Sequence, residues 1–306
     1  MKKIKIIANP KSGREQALTK INQMINYFSE DGYRIDLRFT KHRNDGAKFA
    51  LEDEGEDVII CYGGDGTLNE VVNGIYRRER QVPLAILAGG TVNDFATILN
   101  LPTNVKEFCD MVKENNQIDV DLGMAGDRVF ANVAAAGTLT EVAYTVSDDL
   151  KSKIGRLAYY IEGVKEFTKL RQKENQELIT AKIVSKELKT EEKIHMFLIA
   201  NSASVGGFKK IAPRAEVYDG YLDVVILMGI NPSEVLEIAP SVLSGRHIDH
   251  NKVIYLKTKE ITISTDKDLN VDVDGEKAGK LPMTFKVLDK ALKLIVRGGD
   301  ISDINN

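Results

Sequence analysis

Residues 58–67 read Val58-Ile59-Ile60-Cys61-Tyr62-Gly63-Gly64-Asp65-Gly66-Thr67. An apolar run of this length bounded by glycines is a buried strand, and the polar-to-apolar pattern after Thr67 is a helix. Three glycines around one carboxylate and one hydroxyl, between a strand and a helix, have few uses. Glycine lets backbone N–H groups approach a ligand closely, and a helix start favours negative charge. Asp65 would repel a phosphate there unless a cation stood between them. The stretch therefore reads as a site for nucleotide phosphate with Mg²⁺.

Working outward, the first ~125 residues alternate strand and helix patterns, which implies a mostly parallel sheet covered on both faces. The strand patterns are Lys3–Ala8, Arg34–Phe39, Asp57–Cys61 and Pro83–Leu87. Helical patterns lie near Glu15–Glu30, Asp45–Glu52, Leu68–Arg77 and Val105–Lys113. No Walker sequence occurs, and Gly64-Asp65-Gly66-Thr67-Leu68-Asn69 fails the dinucleotide pattern at its last position. Three loops share a grammar: Asn9-Pro10-Lys11-Ser12-Gly13, Gly63–Thr67 and Gly89-Gly90-Thr91 each end in a hydroxyl with an acid three places on. Ser12 to Glu15, Thr67 to Glu70 and Thr91 to Asp94 are spaced as capping boxes. Three helix starts would then meet at the carboxyl edge of one sheet, where such folds bind ligands.

Composition sets the bounds. A chain of 306 residues that is 43% hydrophobic can build a core in two domains. Its 24 Gly and 7 Pro fall in no low-complexity tract, and only the last few residues read as disordered. Two cysteines, Cys61 and Cys109, are too few for a disulfide framework, which points to a reducing compartment. No apolar stretch approaches the ~18 residues of a spanning helix. The basic start has too short an apolar part for a signal sequence, so the expected location is cytoplasmic. A net charge of −3 gives no general attraction to nucleic acid. Two basic islands stand out, Lys2, Lys3, Lys5, Lys11, Arg14 and Lys20, and a second over 151–173. They are either contacts for an anionic membrane surface or solvated helix faces.

The second half reads differently. A long amphipathic helix over Lys151–Gln172 precedes strands at Leu178–Val184, His195–Asn201, Tyr221–Met228, Ile254–Lys257, Glu260–Ser264, Asn270–Val273 and Met283–Leu288. One more helix opens at Asn231-Pro232-Ser233-Glu234. Short strands without helices between them suggest an antiparallel sandwich. Asp274-Gly275 between alternating apolar residues is a hairpin signal, whose acids are usually solvated. His247 and His250 lack the further ligands of a zinc site and read as surface residues. Cys61 reads as a small core residue.

These motifs together resemble the diacylglycerol and sphingosine lipid kinases, and most closely the soluble bacterial diacylglycerol kinase family. The Gly-Gly-Asp-Gly-Thr motif is shared with NAD kinases and phosphofructokinases. Leu87-Ala88-Gly89-Gly90-Thr91-Val92-Asn93-Asp94-Phe95-Ala96 is similar to the lipid-kinase segment, and Asn9–Gly13 to the lipid-kinase opening. Gly206-Gly207-Phe208, Pro213-Arg214-Ala215, Asp219-Gly220-Tyr221-Leu222-Asp223 and Asp274-Gly275-Glu276 resemble the second-domain signatures. Gly89 departs where Pro is frequent, and Lys11 fills a variable place.

The resemblance implies an α/β fold: a small nucleotide domain over 1–125 plus about 289–306, a larger antiparallel β-sandwich domain over 126–288, and a cleft between. The last strand, Leu292–Val296, would return to the first domain. It implies ATP- and Mg²⁺-dependent phosphorylation of diacylglycerol to phosphatidate, with a transient membrane contact and no nucleic acid partner. A homodimer stays open. Asp65 would lead the Mg²⁺ network, joined through water by Asp121. Asn9, Pro10, Lys11, Ser12, Gly13, Thr40, Gly64, Gly66, Thr67, Leu68, Asn69, Glu70 and Thr91 would surround the triphosphate. Glu276 would be the general base, and Glu216, Asp219 and Tyr221 would hold a second, structural Mg²⁺, although Asp219-Gly220 also fits a plain turn. Phosphatidylglycerol or a sphingoid base is the nearest other acceptor. NAD kinase, and a nucleotide-binding regulator without activity, stand further off.

Overall fold

The computed structural model describes residues 2–13, 16–137 and 178–298. The helix expected over Lys151–Gln172, the basic island beside it and Glu15, the expected partner of Ser12, lie outside these residues.

The amino-terminal half is the expected α/β layer. Strands β1 (Lys3–Ala8), β2 (Arg34–Phe39), β3 (Val58–Gly63) and β4 (Leu84–Ala88) run parallel in the order β4-β3-β1-β2. β3 is buried along its whole length, as a central strand covered on both faces must be, and Cys61 is fully buried within it. β2 carries Arg34, Asp36 and Arg38 at the edge, where charge discourages pairing with another chain. Helix α1 (Ala17–Glu30) buries Ala17, Ile21, Met24 and Phe28, one stripe at three- and four-residue spacing. Helix α2 (Asp45–Leu51) crosses α3 (Asp65–Tyr76) so closely that a Cβ on Gly74 would lie 2.3 Å from the Ala47 carbonyl oxygen. Helices α4 (Asp94–Ile98) and α5 (Val105–Glu114) complete this half.

The remaining described strands pair antiparallel with one another. They are β5 (Gln117–Ala125), β6 (Arg128–Phe130), β7 (Val133–Gly137), β8 (Ile179–Ser185), β9 (Lys189–Ala200), β10 (Leu222–Met228), β11 (Val253–Thr258), β12 (Glu260–Thr265), β13 (Asn270–Val273), β14 (Glu276–Lys280) and β15 (Met283–Ile295). The sheet folds over itself: Phe197 of β9 meets Phe285 of β15 edge to face at 5.8 Å, although β8 and β12 separate these strands in the sheet. Helix α6 (Pro232–Ser244) starts with a true capping box between Asn231 and Glu234.

One strand joins the halves. The two patterns expected at 283–288 and 292–296 are a single β15 with a bulge, where Lys290 takes a positive φ of 51°. Its first part pairs with β12, its length pairs with β5, and Leu294 lies parallel to Leu84 of β4. The described strands therefore form one continuous sheet rather than two separate ones.

Three expectations fail here. His247 is buried, not superficial, with Nε2 2.9 Å from the Ile211 carbonyl oxygen; burial also lowers its pKa. The amino-terminal basic island is partly internal. Lys5 is fully buried on Glu56 at 3.1 Å, and Lys3 pairs with Glu54 at 3.3 Å. The alternating pattern of β1 gave no sign of this, because Lys5 occupies an ordinary inward position of a strand whose partner acid lies 51 residues away. Lastly, Asp274 of the hairpin is half-buried and held by four hydrogen bonds rather than solvated.

Candidate active site

Three loops close on one another at the carboxyl edge of β1, β3 and β4, and glycine is what permits it. A Cβ on Gly63 would lie 2.5 Å from Thr67 Cβ, and one on Gly90 would lie 2.6 Å from Gly64 Cα. Asn9 after β1 donates Nδ2 to Thr67 Oγ1 at 3.3 Å and accepts from Lys11 N at 3.0 Å. Thr40, at the end of β2, donates its amide to the Ala8 carbonyl at 2.9 Å. Lys11, Gly13, Gly66 and Thr91 are exposed on this edge; Pro10, Ser12 and Gly64 are half-buried. Leu68 turns its side chain into the core, so only its backbone belongs to the edge.

The capping boxes expected at Thr67 and Thr91 are absent. α3 begins at Asp65 with Gly64 as its cap, and α4 begins at Asp94 after Asn93 in the left-handed region. Thr67 is already in the first turn, and Glu70 reaches out of its own helix instead. Its carboxylate accepts Asn44 N at 2.7 Å and Gly46 N at 2.9 Å, capping α2. Both Glu70 oxygens are thus taken by backbone, which makes it a support for the loops.

Asp65 is the hub. Its two oxygens accept Asn93 N and Asp94 N, each at 2.9 Å, so the carboxylate of one loop orders the next. Burial pushes its pKa up to about 6, the Asp94 and Asp274 charges push the same way, and the two amides offset only part of this. Asp94 in turn accepts Ser204 Oγ at 2.5 Å and Gly207 N at 3.0 Å from the antiparallel half. Asp274 sits in the β13–β14 turn with φ 48°, followed by Gly275 at φ 87°. It accepts Asn69 Nδ2 and Ala131 N at 2.8 Å, Val133 N at 2.9 Å and Asn132 N at 3.0 Å, yet burial still raises its pKa.

Among the described residues no Lys or Arg pairs with Asp65, Asp94 or Asp274. This donor set is all oxygen and short of positive charge, which fits a hard divalent cation. No three acids among the described residues converge closely enough to bind a metal alone. Mg²⁺ would need phosphate oxygens to complete its shell, as it does when it arrives with a nucleotide.

Glu276 opens β14, one-fifth exposed, with Arg43 Nη2 at 2.9 Å from its Oε2. Arg128 of β6 also donates to it. Asp121 has backbone partners of its own. It is fully buried on β5, its oxygens taken by Lys290 N at 2.8 Å and Gly220 N at 2.6 Å. Burial raises its pKa, and the nearby charges are Asp289 and Asp219. It orders the β15 bulge.

The second expected metal set, Glu216, Asp219 and Tyr221, lies just before β10. Asp219 accepts Tyr221 N at 3.0 Å and the Lys257 ammonium at 2.5 Å, and Lys257 lies 3.7 Å from Asp223. Glu216 adds negative charge to the same cluster. Tyr221 is exposed, with the Lys259 ammonium 5.2 Å from its ring centroid. Lys257 thus neutralises part of this acidic cluster.

Sequence reasoning did not single out as site residues Asp94, Asp274, Arg43 or Arg128, which the structure brings beside Asp65 and Glu276. Asp94 and Asp274 lay inside the quoted motifs and could have been found there. Nothing local marked the two arginines.

Two family models match the chain: the diacylglycerol kinase catalytic domain over residues 3–125 and the YegS C-terminal NAD kinase beta sandwich-like domain over residues 132–296. The diacylglycerol kinase of Staphylococcus carnosus is 34% identical over 96% of this chain and 94% of its own length. That of Bacillus subtilis is 34% identical over 97% of both chains. A crystal structure from Bacillus anthracis, assigned as a diacylglycerol kinase, superposes with a TM-score of 0.81 at 26% identity, over 97% of this chain and 95% of that one. Glycine-dependent loops, an acid-rich floor and a continuous match over both halves lead to one conclusion: the chain belongs to the diacylglycerol kinase family.

Proposed function

We propose that the chain transfers the γ-phosphoryl group of ATP, with Mg²⁺, to the free hydroxyl of diacylglycerol, giving phosphatidate. The observation that carries this reading is the cluster of Asp65, Asp94 and Asp274 beneath the three glycine loops, short of positive charge, with Asp274 two residues before Glu276. When bound, Mg²⁺ would neutralise charge on the phosphates. The protein's part is positioning. Backbone amides at the start of α3 would face the phosphates, while those of Asn93 and Asp94 at the start of α4 are held by Asp65. Asp65 keeps the Gly90–Asp94 loop in place, and Glu276 accepts the proton of the acceptor hydroxyl. Asn9, Ser12, Gly13, Thr40, Gly64, Gly66, Thr67 and Thr91 line the triphosphate path. The relatives named diacylglycerol kinase support the choice of acceptor.

No described helix is long and apolar enough to cross a membrane, so a bilayer substrate would be reached from the surface. Of the amino-terminal basic island, Lys2 and Lys11 are exposed and Lys20 is half-buried, and these are the candidates for that contact. Labelled ATP with Mg²⁺, offered diacylglycerol, phosphatidylglycerol, sphingosine and NAD in mixed micelles, tests the reading. Label should appear in phosphatidate; label confined to another acceptor, or to none, overturns it.

A further inference from the structure

Both arginines on Glu276 are placed by α3, the helix that starts in the phosphate loop. Glu70 of α3 holds the amides of Asn44 and Gly46, which fixes the turn carrying Arg43. Asn73 of α3 accepts Val129 N at 3.1 Å and returns Nδ2 to the Val129 carbonyl at 2.8 Å, which fixes β6 beside Arg128. Asn69 of α3 donates to the same carbonyl at 3.2 Å and to Asp274 at 2.8 Å, two residues before Glu276. Asn69 and Asn73 are almost fully buried, so these contacts are shielded from competing water.

The two guanidiniums converge on a single atom. Arg43 Nη2 and Arg128 Nη2 both donate to Oε2, and Arg128 Nη1 also donates to the Lys277 carbonyl at 3.1 Å. Among the described residues Oε1 accepts no hydrogen bond. A glutamate has several rotatable bonds, and holding one oxygen from two directions fixes where the other points.

We propose that Arg43 and Arg128 are positioning residues, which pin Oε2 of Glu276 so that Oε1 receives the proton of the acceptor hydroxyl. In that step the acceptor oxygen forms the new bond to the γ-phosphorus, the bond from the γ-phosphorus to the β,γ-bridging oxygen breaks, and ADP leaves with that electron pair. The hydroxyl proton passes to Oε1. The inference rests on the reading of Glu276 as the base. It adds a cross-half link, because Arg43 comes from the α/β half and Glu276 from the antiparallel half.

The test is steady-state kinetics with MgATP and diacylglycerol in mixed micelles. Arg43→Ala and Arg128→Ala should each lower kcat on the order of tenfold, as loss of orientation does. KM for ATP should stay within about twofold, since no ground-state contact is removed. Arg128→Lys should recover only part of kcat, because one ammonium lacks the fork that spans Oε2 and the Lys277 carbonyl. In Glu276→Ala, which leaves the arginines no carboxylate to hold, the same Ala substitutions should change the residual kcat by less than about twofold. Full, multiplying losses in that background would overturn the proposal, as would losses that fall on KM for ATP. Arg43 is 61% exposed, so its variant keeps the fold and the test survives a failure of Arg128→Ala. Wild-type turnover by Glu276→Gln would remove the base assignment and this inference with it. Loss in Glu276→Gln beside unchanged kcat in both arginine variants would remove the inference alone.

Discussion

Two residues before β3 stands Glu56, and two residues after it stands Asp65. One strand thus carries an acid at each end, and the two are treated in opposite ways. At the amino edge, Glu56 is fully buried on Arg78 at 2.5 Å and Lys5 at 3.1 Å. Burial there would raise its pKa, but the Arg78 hydrogen bond, two backbone amides and Lys5 outweigh it and hold the group at about 2. At the carboxyl edge Asp65 has backbone amides and other acids for neighbours, and stands at about 6. The first arrangement closes a fold. The second leaves charge to be neutralised by something that binds, which is how a site differs from a strut.

Breaking the amino-edge pair should have the largest effect. Glu56→Ala strands the buried Lys5 ammonium and leaves Arg78 with Asp53 as its remaining acid, and should cost about 3–5 kcal/mol in chemical denaturation. The folded fraction should keep its kcat, and a large loss of kcat there would erase the contrast. Asp65→Ala should do the reverse. Turnover should fall about 10²–10³-fold, the usual cost of a preorganised electrostatic contact. Nucleotide binding, measured by calorimetry, should persist.

The pH dependence sharpens the same contrast. Asp65 has a raised folded pKa, so its ionised form disfavours the fold, and that penalty grows as pH rises from about 4 through about 6. Mg²⁺ with ATP relieves it, so the ligand-induced rise in Tm should be small below pH 6 and full above it. Glu56 has a lowered folded pKa. Its stabilising contribution is present above the ordinary carboxylate range and is lost only as pH falls toward about 2. A ligand-induced Tm shift that stays flat between pH 5 and 8 would count against Asp65 as the hub.

The smallest effect concerns the surface lysines of the amino-terminal basic island. Lys2→Gln with Lys20→Gln should reduce the rate on anionic vesicles by up to about fivefold per residue, and leave the rate on detergent-dispersed diacylglycerol unchanged. Lys5→Gln should instead lower stability in either medium, because Lys5 serves Glu56 and faces no surface.

How legible each feature was depends on the range of the interactions that make it. The glycine loops and the strand–helix alternation could be read because strand burial, turn geometry and helix periodicity are local properties of neighbouring residues. The start of α3 was misread for the same reason in reverse. Thr67 and Glu70 fit a capping box by spacing, but Glu70 finds better partners in the amides of Asn44 and Gly46. The fate of Lys5 and the place of His247 were invisible, since each is defined by atoms far along the chain.

From sequence alone, then, came the α/β order, the glycines that let three loops touch, the Asp65 carboxylate between them and the family to which the motifs belong. Tertiary structure alone decided that Asp65 orders the next loop, that Asp94 and Asp274 join it while Asp121 serves the β15 bulge, and that Lys257 occupies the second acidic cluster. It also decided that Arg43 and Arg128 meet on Glu276 from positions 233 and 148 residues away. Charge compensation is a matter of a few ångströms in space, and sequence distance carries no information about it.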